Sequence, residues 1–232
     1  VGIIVGVVTL TGVGFRLGCV VIQTAGDISN YFSNIWPISF FSFEDLRLFF
    51  SLVLIAISCI IMGAGIPTTA TYIILVAVAA PALAQLGIEP LVAHFFVFYY
   101  GVLADITPPV ALAAYAASGI AKSNPFKTGN TAFRLGIAKA LVPFVFVYSP
   151  SLLLITGEFQ TNQLIITLIG TLIGIALIGI AFSGYWFRPL KKYEQIIIGI
   201  GSLFFVAPGI GSMVIGLLII SPMLFLQFLK KN

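Results

Sequence analysis

Forty consecutive residues, Leu48 to Gly87, contain no charged side chain. A helix needs about 20 apolar residues to cross the roughly 30 Å hydrocarbon core of a bilayer, so this run is long enough for two passes. It is broken at its middle by Gly63-Ala64-Gly65-Ile66-Pro67-Thr68-Thr69. The run therefore reads as two short helical arms meeting at a non-helical tip. Charge placement alone leaves both a re-entrant hairpin and a pair of full crossings open. Only 8% of the 232 residues are charged and 60% are hydrophobic, whereas soluble domains carry about a quarter charged residues. A globule of this composition lacks the polar surface to stay in solution, and the lipid bilayer is its natural solvent.

A second apolar stretch, Leu91 to Ala121, is interrupted by Asp105-Ile106-Thr107-Pro108-Pro109. Pro109 has no N–H to donate and each proline restricts the residue before it, so an unbroken helix through this point is disfavoured. The expected fold class is all-α: a polytopic membrane protein with a helical hairpin over 48–87 and a broken helix over 90–121. Further spans are expected at 1–26, after the basic cluster Lys122 to Lys139, at Leu164 to Gly184, and as a tight helical hairpin turning at Ala207 to Gly209. Residues 27–47 read as a loop or an interfacial stretch. The organisation divides into a region 1–156 holding both interruptions and a region 157–232 of additional helices.

Short loops rich in Lys and Arg favour the cytoplasm. With Lys122 to Lys139 inside, one crossing to Glu158 and one back also place Arg188, Lys191 and Lys192 inside, and the acidic Glu44, Asp45 and Glu89 fall outside. The net charge of +4 is scattered and makes no basic face, which excludes a nucleic-acid binder. With a single histidine, His94, there is no His-pair metal motif, and neither a nucleophile elbow nor a phosphate-binding loop occurs. No enzyme is expected, and no cofactor. Cys19 and Cys59 read as packing residues. Arg16 either snorkels to the interface or marks a helix break. The chain opens on Val1 and its methionines are Met62, Met213 and Met223, which reads as a fragment.

Non-helical backbone at membrane depth is tolerated only where protein or a wet cavity surrounds it. Two such breaks in adjacent segments point to one site, because half-helix N-termini attract anions while unwound carbonyls and half-helix C-termini hold cations. Asp105, an acid deep in an apolar run, either caps the following half-helix or has a functional role. His94, Phe98, Gly101 and Asp105 share one helical stripe, with either a proton path or a simple hydrogen-bonded histidine as its meaning.

The stretches from Met62 to Ile73, Gly87 to Pro90 with His94 to Tyr100, and Ile106 to Tyr115 closely resemble the large membrane subunit of tripartite ATP-independent periplasmic (TRAP) transporters, most of all the fused TAXI type. That resemblance implies the second inverted repeat of an elevator-type secondary transporter in a bacterial inner membrane, with 48–87 as a re-entrant hairpin. It implies a coupling-cation site, Na⁺ or H⁺, formed mainly by backbone at Gly63, Ala104, Thr107 and Val110. Asp105, where related members often carry a small residue, is a further candidate ligand and bears on the ion's identity. The resemblance also implies solute contacts at Pro67, Thr68, Thr69 and Pro108, and delivery of an organic acid anion such as a carboxylate by a periplasmic TAXI-type solute-binding protein. A channel or pore subunit, or a structural subunit of a membrane complex, is the alternative.

Overall fold

The computed structural model describes residues 2–35, 42–154, 160–207 and 209–229. Eleven α-helices and two short 3₁₀ turns account for the regular structure among them. Four helical stretches are long and apolar enough to cross a membrane, and a bent pair brings the number to five. The described residues form two compact units, Val1–Gly129 and Asn130–Asn232.

In the first unit α1 (Gly2–Thr11) and α2 (Val13–Ile35) meet at a 63° bend. Gly12 makes that bend with φ +65°, a conformation glycine adopts without a Cβ penalty. Arg16 lies exposed one turn later, where its N–H bonds Gly12 O, so it marks a helix break. The expected loop from Asp27 is instead a continuation of α2 to Ile35. The reason is amphipathicity: Ile22, Ala25 and Ser29 are buried on one face, while Gln23, Asp27 and Asn30 are exposed on the other. The rest of that expected loop, residues 36–41 with Pro37, lies outside the described residues.

The hairpin consists of α3 (Phe43–Gly63) and α4 (Thr68–Gln85). Its arms are longer than expected, because Ser42 starts α3 early through a capping box. Ser42 Oγ accepts from Asp45 N at 3.1 Å, and the Asp45 carboxylate accepts from Ser42 N at 3.2 Å. Glu44 and Asp45, expected in a loop, thus form the first turn of α3, where carboxylates oppose the positive helix end. At 21 and 18 residues the arms are about 31 and 27 Å long. Gly14 and Gly18 of α2 let α4 approach closely: a Cβ on Gly14 would lie 2.6 Å from Ala77 O, and one on Gly18 would lie 2.8 Å from the Ala82 Cβ. Such small-residue seams replace the hydrophobic effect as the glue between membrane helices.

The second apolar stretch is divided into α5 (Pro90–Ala104) and α6 (Leu112–Ala121). After it, Asn124 Oδ1 accepts from Lys127 N at 3.1 Å and Pro125 takes the first helical position, so α7 (Pro125–Gly136) begins inside the basic cluster. A 3₁₀ turn over Ile137–Leu141 joins it to α8 (Val142–Tyr148). The span expected after the cluster therefore contains Lys127, Arg134 and Lys139.

In the second unit α9 (Thr161–Ser183), α10 (Lys192–Val206) and α11 (Ile210–Leu229) pack side by side. Gly201 faces Ile220 and Gly216 faces Phe205, so α10 and α11 run antiparallel. The expected break at 207–209 separates them, with Pro208 outside the described residues, as are Glu158, Lys230 and Lys231. Leu177, Ala181, Leu190, Ile198, Phe205 and Ile220 form the core. At one end of this core the fully buried Glu194 receives a two-pronged bond from Arg188, at 2.7 and 3.3 Å, and one from Lys191 N at 2.8 Å.

Candidate ion and solute site

The tip of the hairpin and the break of the next segment meet. A Cβ placed on Gly63 would lie 3.0 Å from the Ala104 Cβ, 3.0 Å from Thr71 Cγ2 and 3.7 Å from Gly101 O. Gly65, held at φ +83°, would carry its Cβ 3.5 Å from Val110 Cγ1. Gly63 is thus in contact with Ala104, and Gly65 with Val110, across the interface.

Local hydrogen bonds explain why each break holds its shape. At the tip, Ile66 N donates to Gly63 O at 3.4 Å and Thr71 Oγ1 donates to Ile66 O at 3.0 Å, tying the turn to the first turn of α4. At the second break, Thr107 N donates to Ala104 O at 3.2 Å and Thr107 Oγ1 donates to Leu103 O at 2.7 Å. Ala111 N donates to Thr107 O and Ala113 N donates to Asp105 O, both at 3.1 Å. Tyr115 Oη fastens the prolines by donating to Pro109 O at 2.6 Å. Ala111 is fully buried in the left-handed region at φ 37°, a strained position for a residue with a Cβ.

Four helix ends converge here with a definite polarity. α3 ends at Gly63 and α5 at Ala104, so two negative dipole ends lie together; α4 starts at Thr68 and α6 at Leu112, adding two positive ends. A carbonyl oxygen that accepts one hydrogen bond retains a lone pair, so those of Gly63, Ala104 and Thr107 can each still face a cation. Pro67, Thr68 and Thr69 are exposed, Pro108 is half-buried, and Pro67 provides no side-chain cap to α4. The N–H groups of that first turn are thereby left for another acceptor.

Asp105 is the C-cap of α5 and is half-buried. Its carboxylate does not cap α6, whose N-cap residue is Ala111 and receives no side-chain bond. A negative charge at a helix C-terminus is opposed by the dipole, so this position calls for a cation or a proton. His94 Nδ1 lies 2.8 Å from Tyr72 Oη. The hydrogen-bonded reading of His94 therefore holds, and Phe98 and Gly101, between it and Asp105, offer no group that carries a proton. Among the described residues, no group of three or more His, Cys, Asp or Glu gathers to hold a metal. Sequence reasoning gave Thr71 no role and placed Gly101 only on the stripe from His94 to Asp105. Gly101 lies three residues before Ala104, on the same helical face, and that spacing was the available signal.

Residues 1–161 match the family described as Tripartite ATP-independent periplasmic transporter, DctM component. The chain belongs to this family. No curated protein matches it, and no solved structure does. As a DctM component it is the large membrane subunit of a binding-protein-dependent secondary transporter, a multi-pass protein of the inner membrane and not an enzyme. The match contains the hairpin and the break between α5 and α6 in full. α9 begins where it ends, so almost all of α9 and the whole of α10 and α11 lie beyond it.

Proposed function

We propose that this DctM permease imports an organic acid anion coupled to Na⁺, and that the cation sits among the carbonyl oxygens of Gly63, Ala104, Thr107 and Val110. The observation that carries the reading is the contact of Gly63 with Ala104, which brings two helix C-termini together at two non-helical breaks. The anion's carboxylate is received by the exposed first turn of α4 at Pro67, Thr68 and Thr69, with Pro108 as a further contact. The 48–87 segment acts as a re-entrant hairpin of the second inverted repeat and moves with α5 and α6 as an elevator body. Asp105 adds a negative charge next to the cation and makes H⁺ the alternative coupling ion. The three helices that follow α8 favour the TAXI subtype, and with it delivery of solute by a TAXI-type periplasmic binding protein.

The test is reconstitution of the full-length protein with its binding protein, followed by solute uptake under Na⁺ and H⁺ gradients imposed one at a time. Uptake driven by the Na⁺ gradient, with a weakened Na⁺ dependence in Thr107→Val, is the expected result. Uptake that persists with neither gradient would point to a channel, and an unchanged Na⁺ affinity in Thr107→Val would remove this site.

A further inference from the structure

The second unit carries, between α9 and α10, a loop closed by its own backbone and followed by two exposed lysines. Gly184 takes a left-handed conformation, Leu190 N returns to Gly184 O at 2.8 Å, and Trp186 N bonds Arg188 O at 3.2 Å. The loop is thus a closed turn fixed by its own backbone. Arg188 is occupied, through its bonds to Glu194 and to Pro189 O at 3.1 Å. Gln227 of α11 adds a bond to the same carboxylate at 3.4 Å, joining the loop to the helix core.

Glu194 is the sole acid among the described residues of this unit, against five basic side chains. It forms its ion pair with Arg188 and none with Lys191, Lys192 or Arg134. Lys191 and Lys192 are exposed. Arg134 reaches the same end of the unit, donating to Phe182 O at 2.8 Å in the last turn of α9. Tyr185, Phe187 and Tyr193 are exposed in the same segment, Lys191 Nζ lies 5.9 Å from the Tyr193 ring centre, and Trp186 stacks on Phe187 while packing against the core. Aromatic rings of this kind settle at headgroup depth, and basic side chains beside them attract phosphate.

We propose that Lys191 and Lys192, presented by the Arg188–Glu194 buckle and flanked by this aromatic loop, bind the phosphodiester headgroup of an anionic phospholipid. The positive-inside rule puts the bound lipid in the cytoplasmic leaflet. The buckle contributes indirectly. The two-pronged bond between Arg188 and Glu194 leaves neither lysine in an ion pair with Glu194, although Lys191 still feels the carboxylate's charge. The site uses no residue of the hairpin and would anchor the C-terminal helices whatever ion drives transport.

The test uses the full-length protein with every tryptophan except Trp186 replaced by phenylalanine, Trp36→Phe among them, in bilayer discs of phosphatidylcholine. Brominated phosphatidylglycerol and brominated phosphatidylcholine are supplied at equal mole fraction, and quenching gives their relative association at Trp186. A preference for phosphatidylglycerol of roughly fivefold or more is expected, each surface lysine contributing on that order. Raised ionic strength should reduce it in the parent chain. Lys191→Gln with Lys192→Gln should bring the two lipids to parity, while Lys191→Arg with Lys192→Arg should keep the preference. Parity in the parent chain, or a preference that survives the glutamine pair, overturns the proposal. Inorganic phosphate that abolishes the preference would reassign the lysines to a soluble phosphate and also overturn it; a preference that withstands phosphate supports the lipid.

Discussion

Gly63 and Ala104 come so close that a single methyl group on Gly63 would lie 3.0 Å from the Ala104 Cβ. They end α3 and α5, and their contact sets the separation of the two helix C-termini. Gly63→Val should push these ends apart. The larger side chain meets Ala104 and Thr71 together, both in well-packed surroundings, so a stability loss of about 1–3 kcal/mol is expected. Thermal unfolding in detergent would measure it. Cation-dependent uptake should fall further than the unfolding shift accounts for; an unchanged Na⁺ titration would separate the contact from the ion site.

Thr71 reaches back from the first turn of α4 to Ile66 O at 3.0 Å. Thr71→Val keeps the shape and removes that bond, leaving the tip carbonyl one donor short. A loss of about 1 kcal/mol in stability is expected. A several-fold weaker apparent Na⁺ affinity, read from uptake against Na⁺ concentration, should accompany it because the tip turn is less firmly held. Thr69→Val, at an exposed position, should instead weaken solute uptake and leave the Na⁺ titration in place.

The tip and the second break were legible before any coordinates, because helix-breaking residues are conspicuous inside charge-free runs. Gly63-Ala64-Gly65-Ile66-Pro67 and Thr107-Pro108-Pro109 announce themselves on backbone chemistry alone. What the breaks touch was not legible. Thr71 and Gly101 sit inside helices and, apart from the spacing of Gly101 to Ala104, differ in no visible way from other small membrane residues. Helix limits suffered where charge was taken as a terminator. Asp27 rides the exposed face of α2, and Glu44 with Asp45 starts α3 because Ser42 supplies a cap. The Arg188–Glu194–Gln227 cluster was hidden for another reason, since Gln227 is 33 residues from its partner and only the antiparallel return of α11 unites them.

Asp105 stands at the end of α5 with its carboxylate outside any cap. Asp105→Asn preserves size and removes charge. If the carboxylate compensates a cation, apparent Na⁺ affinity should drop roughly tenfold, about 1.4 kcal/mol of lost attraction, with little change in the melting temperature. If uptake is proton-driven, the same substitution should abolish acceleration by an inward H⁺ gradient. Unchanged dependence on both ions in Asp105→Asn, at wild-type rates, would leave the residue with no part in coupling.

Glu194 gives the pH dependence of the second unit. Burial raises the carboxyl's pKa, but the Lys191 N–H, the Arg188 hydrogen bonds and the charges of Arg188 and Lys191 outweigh it and hold the group below its ordinary range. Because the folded pKa is depressed, the stabilisation is complete above the unfolded carboxylate pKa of about 4.3 and is lost as pH falls through the lower folded value. Unfolding followed by Trp186 emission, in protein whose other tryptophans are replaced by phenylalanine, should therefore show a stability plateau near neutrality and a decline only at acid pH. Glu194→Gln should cost roughly 3 kcal/mol on the plateau, since it leaves Arg188 partly buried and unpaired, and should flatten the acid decline. A decline of the same size in Glu194→Gln would assign the acid sensitivity to another carboxylate.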